Sequence, residues 1–121
     1  MKSLFATLAA LALCLDVHAD EPSLVGTWKG PWYLGMSSGP AELVVTGDGG
    51  TLLLTNHETF GSAPVPLSEV SGKDGLLSFR ARGADGRWLE ARLPLDASRQ
   101  TLKGAASHAG YKLRLELKRM Q

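Results

Sequence analysis

Apolar residues recur at every second position along this chain, in short runs, and that spacing belongs to strands with one face buried and one face wet. The stretch Tyr111–Arg119 shows it best. Tyr111, Leu113, Leu115 and Leu117 fall on one face, while Lys112, Arg114, Glu116 and Lys118 fall on the other. Seven further runs read the same way: Leu24–Tyr33, Ala41–Thr46, Thr51–Glu58, Val65–Ser71, Leu76–Arg82, Arg87–Pro94 and Thr101–Ser107. No segment carries the 3.6-residue period of an amphipathic helix. Turn-forming clusters separate the runs, among them Gly47-Asp48-Gly49-Gly50, Gly72-Lys73-Asp74-Gly75 and His108-Ala109-Gly110. The pattern predicts an all-β domain of about eight antiparallel strands, an up-and-down meander closing into a small barrel.

Parity also selects a register for Leu76–Pro94. A three-residue loop, Ala84-Asp85-Gly86, with Gly86 in the left-handed conformation, pairs Gly83 with Arg87. Leu77 then faces Leu93, Phe79 faces Ala91 and Ala81 faces Leu89 on the core side. On the wet side Ser78 faces Arg92, Arg80 faces Glu90, and Arg82 faces Trp88, a cation–π arrangement. A loop one residue shorter or longer would set apolar residues against charges. The hairpin Ala41–Glu58 is less regular, because Val44-Val45 and Leu52-Leu53-Leu54 put apolar residues on both faces. Either the Phe60–Pro66 segment folds over the outer face or a patch is exposed there.

The first 19 residues have the make-up of a cleavable signal peptide. Lys2 gives the positive start, Leu4–Leu15 the apolar middle, and Val17-His18-Ala19 the small-residue cleavage site. About a dozen apolar residues fall short of the roughly 20 that span a bilayer. Cleavage after Ala19 leaves residues 20–121 as one domain, periplasmic or secreted, with no transmembrane segment. Leu13 stands where lipid attachment at Cys14 would call for a small residue, so Cys14 is expected to leave with the signal. The remainder then has no disulfide, no thiol chemistry and no cysteine-based zinc site.

Net charge is +1, which argues against a general polyanion or nucleic-acid binder. The distribution is uneven. Residues 20–72 carry one base, Lys29, against six acids, and residues 73–121 carry eleven bases against five acids. Outward parity gathers Arg80, Arg82, Arg92, Lys112, Arg114 and Lys118 on neighbouring strands around Trp88, which predicts a basic wall.

In the first run Leu24, Gly26, Trp28, Gly30 and Trp32 share a face, the glycines leaving room for two indoles inside a tightly coiled sheet. Gly26-Thr27-Trp28 ahead of an eight-strand meander resembles the calycins: lipocalins, fatty-acid-binding proteins and avidins. In lipocalins such a tryptophan sits at the closed end of the barrel, and an arginine from the last strand packs across it. The resemblance implies structural roles of that kind for Trp28 and Arg119. The Thr-Asp-Tyr motif of lipocalins is absent, and a chain this short implies a shallow barrel with a small cavity. Ser107–Lys112 is loosely similar to the serine-glycine-tyrosine loop of exported lysozyme inhibitors.

Catalytic patterns are missing. His57 and His108 are far apart in sequence, His57 and Glu58 point to opposite faces of a strand, and His108 lies in a turn. Both histidines are expected near strand ends in solvent, with no metal or other cofactor. There is no Gly-x-Ser-x-Gly elbow, and the Gly47–Gly50 run lacks the lysine of a phosphate loop. The expected function is therefore a non-catalytic exported binding module. A small apolar ligand would meet Trp32, Tyr33 and Met36 at the barrel mouth; the Gly35–Pro40 segment reads first as an ordinary surface loop, with a lid as the alternative. The alternative is a protein–protein module or enzyme inhibitor that uses Arg80, Arg82, Trp88, Arg92 and Arg114 against an exported partner. A homodimer is a further expectation.

Overall fold

The structure is a computed structural model that describes residues 24–120. The signal segment with its cut after Ala19, Cys14 and the start of the expected exported chain lie outside the described residues. Eight antiparallel strands are present among them: β1 (Gly26–Leu34), β2 (Ser37–Val45), β3 (Gly50–Leu54), β4 (Val65–Lys73), β5 (Leu76–Arg82), β6 (Trp88–Pro94), β7 (Thr101–His108) and β8 (Tyr111–Arg119). Each pairs with its neighbour in sequence, and β1 pairs with β8 to close a barrel.

The β5–β6 ladder is the one that parity selects, from Leu77↔Leu93 through Arg82↔Trp88. Its turn closes with Gly83 N–H donating to Arg87 O at 2.9 Å and Gly86 N–H to Gly83 O at 2.9 Å, with Gly86 at φ 82°. Two elements differ from expectation. β2 begins at Ser37, so only Gly35 and Met36 form the turn, and Pro31–Leu34 pair with Ser37–Pro40. The Gly35–Pro40 segment is thus mostly strand rather than loop. β3 stops at Leu54, because the chain turns at Asn56, which has φ 76°. His57 N–H then donates back to Leu54 O at 3.0 Å, and Leu54 N–H donates to Phe60 O at 2.9 Å. The segment after it does not cover the outer face of β2 and β3. Phe60 turns into the core instead and is fully buried, leaving Val44 and Leu53 half-buried outside.

The interior is filled. Trp28, Leu43, Leu52, Leu54, Leu77, Leu89, Leu93, Leu102, Leu115 and Leu117 are all at 0 % exposure, so the barrel encloses side chains rather than a tunnel. Arg119 caps Trp28: its guanidinium lies 4.2 Å from the ring centroid. The same group donates to Val25 O at 3.3 Å and to Arg99 O at 3.2 Å. The Trp28 indole N–H donates to Leu24 O at 3.2 Å. Each polar atom of this seal therefore has a partner, which burial requires.

Closure depends on Gly30. A Cβ there would lie 2.0 Å from the backbone oxygen of Glu116, so β1 and β8 can meet only if that position has no side chain. Gly30→Ala is expected to cost at least about 1–3 kcal/mol through forced separation of the seam, and Trp28→Ala about 3–5 kcal/mol through lost burial and a residual void. Urea unfolding monitored by far-UV circular dichroism measures both. Wild-type stability in Gly30→Ala would show that the seam is not closed in this way.

Candidate functional site at the upper end of the barrel

A meander places alternate connections at the same end. The β1–β2, β5–β6 and β7–β8 turns and the β3–β4 loop (residues 55–64) therefore surround one mouth, called here the upper end. Trp32 stands just beneath it, 2 % exposed, with its indole N–H donating to Thr55 O at 2.9 Å. That bond ties the start of the β3–β4 loop to β1. The loop then folds over the mouth because His57 organises it. Nδ1 of His57 accepts the backbone N–H of Thr59 at 3.0 Å and that of Phe60 at 3.3 Å. An imidazole nitrogen that accepts carries no proton, so the neutral ring holds its hydrogen on Nε2. Among the described residues that Nε2–H meets no acceptor.

Aromatic rings stack around it edge to face. Centroids are 5.2 Å apart for Trp32 and His57, 5.5 Å for His57 and Phe60, 5.0 Å for Phe60 and His108, and 6.1 Å for His57 and His108. Such pairs are worth about 0.5–1.5 kcal/mol each beyond burial. Gly83 leaves the space for this packing, since a Cβ there would sit 2.4 Å from Thr59 Cγ2 and 3.0 Å from Phe60 Cζ. His108 is 7 % exposed, and its Nε2 lies 3.1 Å from Oδ2 of Asp85. Asp85 also accepts the Arg87 backbone N–H at 2.9 Å. That bond, with the His108 pair behind it, holds the Asp85 carboxyl below its usual 3.8. Burial pushes the His57 imidazole below its usual 6.5, a protonated His108 would lower it further, and Glu58 and Asp85 act the other way. Above these rings lies a shallow cavity of about 610 Å3, with Leu34, Ser37, Arg87 and Tyr111 on its rim.

The sequence expectation kept these histidines apart and in solvent. Barrel closure and the inward fold of the loop bring them together. His108 is the last residue of β7 and points inward, in step with Ala106, rather than lying in a turn. Parity extended by one residue would have found it. Nothing periodic marks His57, which belongs to a loop.

The three residues expected to bind a ligand do not converge. Trp32 is inside. Tyr33, its neighbour on the strand, points out, where the Arg114 guanidinium lies 4.8 Å from its ring. Met36 is fully exposed at the turn. The basic wall forms but is interrupted by acids. Arg80 lies 3.3 Å from Glu69 and 3.4 Å from Glu90, and its guanidinium is 4.4 Å from the Trp88 ring centroid. Arg82 is 5.9 Å from the same ring and donates to Gly86 O at 3.2 Å. Arg114 pairs with Glu116 at 3.0 Å. Trp88 and Arg92 are exposed.

Among the described residues no group of three or more histidine, cysteine or carboxylate side chains is placed to hold a metal ion. No protein-family model, curated protein or solved structure matches the chain.

The unfolded chain titrates His57 near 6.5 and the folded chain does so lower. The stability this group confers is therefore complete above pH 6.5 and declines as pH falls below it, toward the folded-state value. Asp85 and Asp96, both lowered from 3.8, begin to lose theirs only in a second, more acidic window. His57→Asn keeps a side-chain acceptor for the loop but cannot titrate. Its unfolding free energy is expected to fall less steeply than that of the wild type just below pH 6.5. Equal slopes in a urea series across that range would remove His57 as the cause.

Proposed function

We propose that the chain is an exported, non-catalytic binding module whose ligand is a small, largely apolar or aromatic molecule seated on the upper end of the barrel. One observation carries the reading: a neutral His57 offers an Nε2–H that the protein leaves unused, amid a cluster of rings at the floor of a cavity. An aromatic ligand with one acceptor atom uses both features, stacking on ring edges and taking the free donor. The filled interior supports a rim site rather than an internal pocket. The Asp85–His108 pair orients an imidazole, yet among the described residues no hydroxyl hydrogen-bonds to either histidine, so the pair has no nucleophile beside it to activate. The export part rests on the first 19 residues. Trp28 under Arg119 supports a calycin-type barrel.

Native mass spectrometry of the protein, purified gently from the periplasm or medium of its own cells, is expected to show a co-purified small molecule. Ser37→Trp places a bulky side chain on the exposed rim without touching the core, and should abolish the added mass. Arg92→Glu on the outer wall should leave it unchanged. The opposite pattern would place the ligand elsewhere.

A further inference from the structure

A second surface is independent of the upper end. On the outer wall, residues across the strands form two adjacent rows. One runs Ser78, Arg92, Ala105, Arg114 from β5 to β8, and the other runs Arg80, Glu90, Ser107, Lys112. β7 contributes only Ala105 and Ser107 to these rows, so long side chains on β6 and β8 stand on either side of a strand with a low profile. The result is a trough of about 640 Å3. Arg80 is neutralised by Glu69 and Glu90 and stacked near Trp88, which makes it a fixed end wall. Arg92 and Lys112, by contrast, have no carboxylate within 4 Å among the described residues.

Exposed bases often serve to block edge-to-edge pairing of strands. A closed barrel has no edge to block. We infer that the trough along β7 binds an extended, acidic segment of another protein, with carboxylates at alternate residues facing Arg92 on one wall and Lys112 on the other. Spacing favours this occupant. Arg92 stands opposite Ala105 and Lys112 opposite Ser107, two residues apart on β7, and an extended peptide repeats its side chains on one face at the same interval of about 6.6–6.8 Å. A second copy of this chain fits less well. Among the described residues of its acidic half Glu42 is paired with Lys29 and Glu69 with Arg80, and Asp48 and Glu58 lie in separate connections, so these offer no row of free carboxylates.

The test uses a fluorescent ten-residue peptide of alternating threonine and glutamate, with fluorescence anisotropy at low ionic strength. Saturable binding is expected, weakening as salt is added. Three comparisons decide. The Arg92→Glu/Lys112→Glu double variant, altered only at exposed positions, should bind about tenfold or more weakly. A peptide with glutamine for glutamate should not bind. A peptide with its five glutamates in one block should bind more weakly than the alternating one. The proposal is overturned if the double variant binds normally. It is also overturned if block and alternating peptides bind alike, or if polydeoxythymidine competes equally, since either marks general charge attraction. Protein self-association with the same salt dependence and the same loss in the double variant would assign the trough to a second copy instead. Ser37→Trp should leave peptide binding unchanged, which separates this site from the upper one.

Discussion

The approach of β1 to β8 at Gly30 is the constraint on which the remaining structure depends. A chain of period-two strands always has two edges unless the first and last can meet, and here they meet where a single Cβ would collide with a backbone oxygen. Closure converts alternation along each strand into an inside and an outside. It also fixes what the inside must hold. Small and large residues alternate along β1, so Trp28 and Trp32 enter the barrel at two heights and the leucines of the other strands fill the space around them. Without Gly30 the seam would stand apart and Trp28 would lose its cover.

The two ends are sealed by different chemistry. At the lower end the cover is Arg119, which spends its N–H groups on the carbonyls of Val25 and Arg99. At the upper end the cover is a loop, held by an imidazole that can accept two backbone N–H groups only while neutral. Protonation would turn that acceptor into a donor facing donors. The upper seal therefore has a pH threshold set by how strongly burial opposes charge on His57. Phe60 is what that threshold guards, since its ring closes the core from above.

How much of this could be read from the sequence follows from which residues obey a period. Strands β5, β6 and β8 do so along their whole length, and the β5–β6 pairing follows from parity and the length of the turn between them. The expected stacking of Arg119 on Trp28 rested on a short motif and a parity, and it is a local contact between two adjacent strands. The upper end is different. Its key residues come from a strand end, a loop and a turn, brought together by closure rather than by sequence distance. Tyr33 and Met36 were joined to Trp32 because they adjoin it along the chain, yet adjacency on a strand means opposite faces. The turn at Asn56 cut β3 short, and no apolar spacing announces a left-handed residue.

A filled interior changes what a barrel of this size can recognise. Where a larger barrel would hold a ligand within its walls, this one has given that volume to two tryptophans, two phenylalanines and leucines. Under the binding roles proposed above, recognition falls to the surface, and the surface is of two kinds. The rim presents rings and one unused donor, which suits a compact apolar molecule. The wall presents charges at the repeat of an extended backbone, which suits a polypeptide. The wall is built from strand ladders that the closed seam stabilises, whereas the rim hangs on a loop and its histidine. A partner on the wall would therefore meet a preformed surface, while a ligand at the rim would bind groups whose order depends on the loop being in place, and would strengthen that order as it bound.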